Sequence, residues 1–259
     1  MKIEKFLPSL PLRPFIREIM IIESELATDS SITPDTSIVM AFRFMGHVAK
    51  KEGTEKAIIP ASSITGIRKS VRTLFYEKAS ANLLVMFKEG GMAAFSRTPA
   101  HELFGLHVST DNIFLSSEQE EILERLVAAP DNQRRIAIIE TFLLKKLFDG
   151  KTGPDPRIDH AIQLIKQQHG IVRIKELAPA LHISQDAFEK RFRALVGATP
   201  KQYASIVRLK NLINNYASYT SLTDASYEAG YFDQSHFIKD FRGFTGQTPK
   251  DFFKSPLLM

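Results

Sequence analysis

The chain has 259 residues, enough for two domains of ordinary size, and its 44% hydrophobic and 24% charged residues give the balance of a soluble globular protein. It has no cysteine, which excludes disulfides, thiolate metal sites and cysteine nucleophiles. The net charge of +5 is uneven: 20 Lys+Arg face 19 Asp+Glu through Gly153, and 14 face 10 from Pro154 onward, so an anionic partner is expected for the C-terminal part.

The N-terminus, Met1 to Pro8, carries an early acid and no apolar stretch of signal-peptide length. No run approaches the roughly 20 apolar residues that a bilayer needs. The greasiest segment, Ile136 to Phe148, contains Glu140, Lys145 and Lys146. A cytoplasmic protein without a membrane partner is expected. Before about residue 110, short β-prone runs such as Ser37–Phe44 and Asn82–Phe87 alternate with breaks at Thr33-Pro34-Asp35, Gly46, Gly53 and Gly90-Gly91. That spacing predicts a sandwich or small barrel. A helix follows Ser116-Ser117, with Glu118, Glu120 and Glu121 in its first turns, and a second runs from about Asn132 to Phe148. The apolar stripe of the second helix is so broad that more than one surface must cover it. Two readings stand: packing on the barrel, or additional pairing with a second subunit.

Asp149 to Pro156, rich in Gly and Pro, reads as a linker. The expected organisation is a sensor or dimerisation domain over 1–149, a linker over 150–156 and a helical domain over 157–259. In the helical part, Ile158, Ile162 and Ile165 mark a helix ending at His169-Gly170. Further helices are expected near Ile174, Ser184, Pro200, Leu222, Asp233 and Pro249. One phrase occurs twice: Phe192-Arg193 through Gly197, Thr199-Pro200-Lys201 and Tyr203 returns as Phe241-Arg242 through Gly246, Thr248-Pro249-Lys250 and Phe252. One small helical unit is therefore used twice, which suits a partner that repeats along an axis, such as duplex DNA.

The units lie at about 174–194 and 222–243. Each has a small residue in its first helix (Ala178, Ser226), a tight turn, and a capped second helix with two buried aromatics, Phe188 and Phe192 or Phe237 and Phe241. This is a helix-turn-helix pattern. The second turn, Gly230-Tyr231-Phe232, is one residue longer than the first, His182-Ile183. Outward residues are candidates for DNA contact: Gln185, Asp186, Glu189, Lys190 and Arg193 in the first unit, and Gln234, Ser235, His236, Ile238, Lys239 and Arg242 in the second. A solvated helix face is the bland alternative. Thr199 and Gln202 predict a capping box, with Pro200 at the first helical position. The helix from Pro200 to about Ala217 would span about 27 Å, a suitable strut between grooves roughly 34 Å apart. Lys201, Lys250 and Arg208 are read as touching phosphate or, preferably, as keeping the surface soluble.

These residues resemble the AraC/XylS-type transcription regulators. The resemblance covers roughly the last hundred residues: Ile183-Ser184, Phe188, Phe192, Gly197, Thr199-Pro200, Ala225-Ser226, Gly230-Tyr231, Asp233 to Phe237, Phe241-Arg242, Gly246, Thr248-Pro249 and Phe252. It implies an α+β protein: a cupin-like β-barrel with two following helices that dimerise or sense a ligand, then two helix-turn-helix units joined by a long helix. Phe87-Lys88-Glu89-Gly90-Gly91 and Pro99-Ala100-His101-Glu102-Leu103 are similar to family segments after the last barrel strand, with Glu89 in place of Pro. Four departures matter, one of them Ser226 in place of the usual Ala. His182 replaces the usual Gly, which predicts a less tight first turn. Leu212 and Asn215 alter the packing of the connecting helix. Asp186 and Glu189 place acid on the first recognition surface, so the second unit is expected to contact DNA no more weakly.

The expected function is a sequence-specific transcription regulator, an activator, with double-stranded DNA and RNA polymerase as partners. A small-molecule effector and a homodimer remain open, and no cofactor, metal or catalytic residue is expected. A protein-interaction module with a degenerate first helix-turn-helix is the alternative function. An enzyme would need a nucleophile or metal. His47, His101 and His107 lack metal-binding spacing and are read as surface or loop residues. Phe42, Phe44, Phe75, Phe87 and Phe95 are read as core in preference to the lining of an apolar ligand pocket.

Overall fold

The computed structural model describes residues 1–149 and 155–254. The strands are β1 (Lys2–Phe6), β2 (Ile16–Ser24), β3 (Thr28–Ile32), β4 (Val39–Met45), β5 (Val48–Glu52), β6 (Glu55–Ile58), β7 (Ser62–Thr65), β8 (Arg72–Tyr76), β9 (Ser80–Phe87) and β10 (His107–Ser109). They form two antiparallel sheets, ordered β1-β2-β9-β4-β7-β10 and β3-β8-β5-β6. Alternation along the strands decides which face is apolar. Ile19 lies opposite Val85, Val85 opposite Met40, and Met40 opposite Ile64, and all four are fully buried. Phe42 and Phe87 join them, and Phe87 packs on Phe95 with ring centroids 5.4 Å apart.

This main core lies on the side of the six-stranded sheet where helices α1 (Ser116–Ala128) and α2 (Asn132–Asp149) pack. A smaller apolar cluster, Ile22, Val48 and Tyr76 with Ile59, Leu74 and Leu84, lies on the other side, between the sheets. The predicted two-sheet architecture is present, but its largest core is sheet against helix. Three of the five phenylalanines are core. Phe44 is half-buried with Arg135 above it at 4.4 Å, and Phe75 sits outside the core beneath Lys56. The broad stripe of α2 is covered within the chain. Ile136, Ile138, Ile139, Phe142 and Leu143 are buried, α2 packs on α1 and on the turn Leu10–Leu12, and Phe142 meets Phe114 at 5.4 Å.

Most of the predicted linker lies outside the described residues. Its last two positions are not linker: Asp155 caps α3 (Pro156–Gln167) by accepting from the Arg157 N–H, and Pro156 opens the helix. The rest is helical, with α4 (Ile174–Ala180), α5 (Gln185–Val196), α6 (Pro200–Asn214), α7 (Leu222–Glu228), α8 (Gln234–Thr245) and α9 (Pro249–Phe252). The expected capping box is formed: Thr199 Oγ1 accepts from the Gln202 N–H at 3.1 Å and Gln202 Oε1 accepts from the Thr199 N–H at 2.8 Å. Gly197 and Gly246 end α5 and α8 at φ 94° and 77°, the left-handed region where a side chain is strained.

The connecting helix α6 is shorter than expected. It stops at Asn214, about 22 Å at 1.5 Å per residue. The Asn215 amide bonds back to the Asn211 carbonyl at 2.9 Å, competing with helix continuation. Tyr216, in the turn that follows, then stacks on Phe253 with centroids 3.4 Å apart.

Candidate nucleic-acid interface

Both helix-turn-helix units are built by the same bonds. In the first, the Ile183 N–H donates to the Ala178 carbonyl at 3.2 Å; in the second, the Tyr231 N–H donates to the Ser226 carbonyl at 3.0 Å. Ala178 and Ser226 are thus equivalent, and both are buried beneath the following helix. The turn pivots on a left-handed residue in each case, His182 at φ 54° and Gly230 at φ 71°. The first turn is therefore as tight as the second. Its departure from glycine appears as backbone strain, not as a wider turn. The additional residue of the second turn is Phe232, which projects 91% exposed ahead of the cap Asp233. Asp233 accepts from the His236 N–H at 2.7 Å, and Ser184 accepts from the Ala187 N–H at 3.3 Å.

Behind each second helix is an aromatic wedge. Phe188, Phe192 and Tyr203 stack edge to face at 5.6 Å, and Phe237, Phe241 and Phe252 do the same at 5.7 and 5.3 Å. All six rings are at most 6% exposed. Each wedge fixes the roll of its helix, which decides the opposite face. On α5 that face carries Gln185, Asp186, Lys190 and Arg193, all exposed, with Glu189 half-buried. On α8 it carries Gln234, Ser235, His236, Lys239 and Arg242, all exposed. Ile238 is half-buried, packs against the core, and lines a shallow groove with Ser235, Lys239, Arg242 and Gly243.

The acids of the first unit have local structural partners. Asp186 sits in the first turn of α5, where the helix dipole favours negative charge. Glu189 accepts from the Gln185 amide at 3.1 Å. Arg208 belongs to neither of the roles expected for it. Its guanidinium lies 4.1 Å over the Tyr231 ring and 3.5 Å from Asp240, joining α6 to the second turn and to α8. Burial pushes the Tyr231 hydroxyl up to about 12, with Arg208 opposing and Asp240 reinforcing. Lys201 and Lys250 are exposed.

Sequence reasoning missed a contact that the structure makes prominent. Helix α5 packs on the short turns Gly91–Ala94 and Ala100–Leu103, the two segments noted for their likeness to family motifs. Beside them lie two carboxylates of the β domain. Glu89 accepts from Thr36 at 2.8 Å and from the Tyr203 hydroxyl at 3.1 Å, and pairs with Lys166 at 2.9 Å. Asp35 pairs with Lys210 at 2.8 Å and with Arg17 at 3.2 Å. Burial works to raise both carboxyls. Lys210 and Arg17 outweigh it at Asp35, and Lys166 with its hydrogen bond outweighs it at Glu89, so both are held below the usual carboxylate range. Burial and the nearby Glu89 raise the Tyr203 hydroxyl far above its ordinary value, keeping it a donor. The signal for this seam was the acid at 89 where the family pattern has proline.

Residues 177–255 match a helix-turn-helix domain family, a span that takes in both turns and both exposed helices. This part of the chain is similar to the AraC/XylS-type regulators. Residues 4–109 match a domain family of unknown function, DUF6597. The chain is 28% identical over 122 residues to the Msm operon regulatory protein of Streptococcus mutans, covering 46% of this chain and 43% of that one. The chain thus spans less than half the length of that relative. Among solved structures, it aligns with ToxT of Vibrio cholerae at 11% identity and a TM-score of 0.47, over 91% and 97% of the two chains. It aligns with the xylose-binding transcription activator XylR at 20% identity and a TM-score of 0.34, over 46% and 38%. The Streptococcus mutans relative is named as an operon regulatory protein. Among the described residues no helix is long and apolar enough to cross a membrane.

Proposed function

We propose that the protein is a sequence-specific DNA-binding transcription regulator, an activator, in which residues 157–259 bind DNA and residues 1–149 sense an effector. The reading rests on one observation: the exposed faces of α5 and α8 are displayed by duplicated, fully packed scaffolds whose other sides are buried. Packing explains the buried sides and leaves Lys190, Arg193, Gln234, Ser235, Lys239 and Arg242 without a structural partner among the described residues, whereas Gln185 bonds to Glu189 and His236 meets Tyr231 and Asp240. Lysine and arginine on these faces would neutralise phosphates and supply affinity, while Gln185, Gln234 and Ser235 would read base edges. Contact with RNA polymerase and self-association belong to the same proposal. The α2 stripe is already covered within the chain, so self-association would use another surface.

A gel shift with labelled genomic fragments tests the reading. Salt-sensitive binding that selects particular fragments is expected; binding indifferent to sequence refutes it. Lys239→Ala should weaken binding evenly across fragments and reduce the salt slope by about 1, whereas Gln234→Ala should relax selectivity at one position. Unchanged affinity and selectivity in both variants would remove α8 from the interface.

A further inference from the structure

The space between the two β-sheets has an apolar end and a cationic end. At the cationic end, His107 of β10 lies opposite Thr65 of β7 in the six-stranded sheet. Arg72, the first residue of β8 in the other sheet, reaches across to both, with Nη1 at 3.3 Å from Thr65 Oγ1 and 3.2 Å from His107 Nδ1. His107 was expected to be a surface or loop residue; it is instead a half-buried strand residue. The Thr65 hydroxyl also lies 2.6 Å from His107 Nδ1; arginine has no acceptor atom, so Arg72 donates to both, and Nδ1 is the accepting nitrogen with the Thr65 hydroxyl proton turned towards it. The ring proton then sits on Nε2, which is buried and has no hydrogen-bond partner among the described residues.

Among the described residues, the surroundings add cations and no unpaired acid. Arg68 donates only to the carbonyls of Ile32, Thr33 and Ser70. Among the described residues neither Arg68 nor Arg72 has an ion-pair partner within 4.0 Å. The carboxylate whose field reaches Arg68 is Asp35, already held by Arg17 and Lys210. Lys50, on the same face of β5 as the buried Val48, pairs with the exposed Glu52. Burial, with Arg72, Lys50 and Arg68 acting in the same direction, drives the His107 ring down to about 4, so it is neutral at pH 7. Burial and Arg72 bring Arg68 down to about 10. Two half-buried guanidiniums without counterions, beside a buried N–H without an acceptor, is a costly arrangement unless something acceptor-rich joins it.

We propose that Arg72, His107, Thr65, Arg68 and Lys50 form an anion-binding site between the sheets, and that the effector is a small metabolite carrying a carboxylate or phosphate group. This rests on the reading of the β domain as a sensor and names the chemistry it senses. The anion accepts from His107 Nε2 and from the guanidinium nitrogens of Arg72 and Arg68, and Lys50 adds charge from the rim.

The test uses the full chain, with inorganic phosphate and succinate added separately at ionic strength held constant with potassium chloride. The His107 Nε2 resonance is followed by long-range ¹H–¹⁵N NMR, together with the thermal midpoint. A saturable movement of both with at least one anion is expected, and phosphate or succinate alone assigns the headgroup. Arg72→Met should weaken that binding about tenfold or more. A His107 resonance that stays still with both anions overturns the site, as does wild-type affinity in Arg72→Met and Arg68→Met together. The wild-type resonance decides by itself where a variant does not fold. A gel shift on the same preparation separates the two readings. Selective DNA binding without an anion response removes the site and leaves the regulator; an anion response without selective DNA binding does the reverse.

Discussion

His182 occupies a backbone position that its counterpart fills with glycine. A non-glycine residue in the left-handed region costs about 1 kcal/mol, and among the described residues no hydrogen bond of the His182 side chain offsets that cost. His182→Gly should therefore stabilise the chain by about 0.5–1 kcal/mol in denaturant unfolding, the lower end reflecting glycine's greater freedom when unfolded. Gly230→Ala should do the opposite by a larger margin, because a Cβ there meets Ile171 at 3.0 Å in the same strained φ region. A His182→Gly variant less stable than the parent would show that the imidazole has a packing role. Arg208 gives a second test at this scale. Arg208→Ala removes a cation from over Tyr231 and takes from Asp240 its permanently charged partner, so a loss of about 1–2 kcal/mol is expected. Arg208→Lys should recover little, since a point charge cannot both stack on the ring and reach the carboxylate. Equal stability of the lysine variant and the parent would contradict this.

At the scale of elements, the helical part was legible and the β part less so. Caps, prolines at first helical positions, C-terminal glycines and paired phenylalanines are local signals, and each gave its helix: Thr199 with Gln202, Asp233, Gly197, Phe188 with Phe192. The length of α6 was misjudged because nothing apolar ends at Asn214; the stop comes from an asparagine bonding back and from a tyrosine recruited by Phe253. Strands could be found from composition, but not their partners. That His107 lies beside Thr65 and across from Arg72 depends on a register set by residues scattered over the whole β domain. The outward faces of α5 and α8 were legible because two buried rings determine the roll of each helix.

The whole molecule is joined by the seam around Asp35 and Glu89. Glu89→Ala would leave Thr36, Tyr203 and Lys166 without their shared acceptor, at a cost of about 1–3 kcal/mol. It should lower the thermal midpoint or split one unfolding transition into two; an unchanged single transition would show that apolar contact carries the seam. Acid should act similarly. Both carboxyls are depressed in the folded chain, so their contribution is complete above the unfolded carboxylate pKa, about 4, and is lost as pH falls below it. Stability should thus drop below about pH 4, less steeply in Glu89→Gln than in the parent. A different separation governs what the molecule can become. Gln234, Ser235, Lys239 and Arg242 stand clear of the packing that holds α8. Under the proposed function, mutation can rewrite letters such as Gln234 and Ser235 while the frame that displays them stays put, so a new promoter address would need no new architecture.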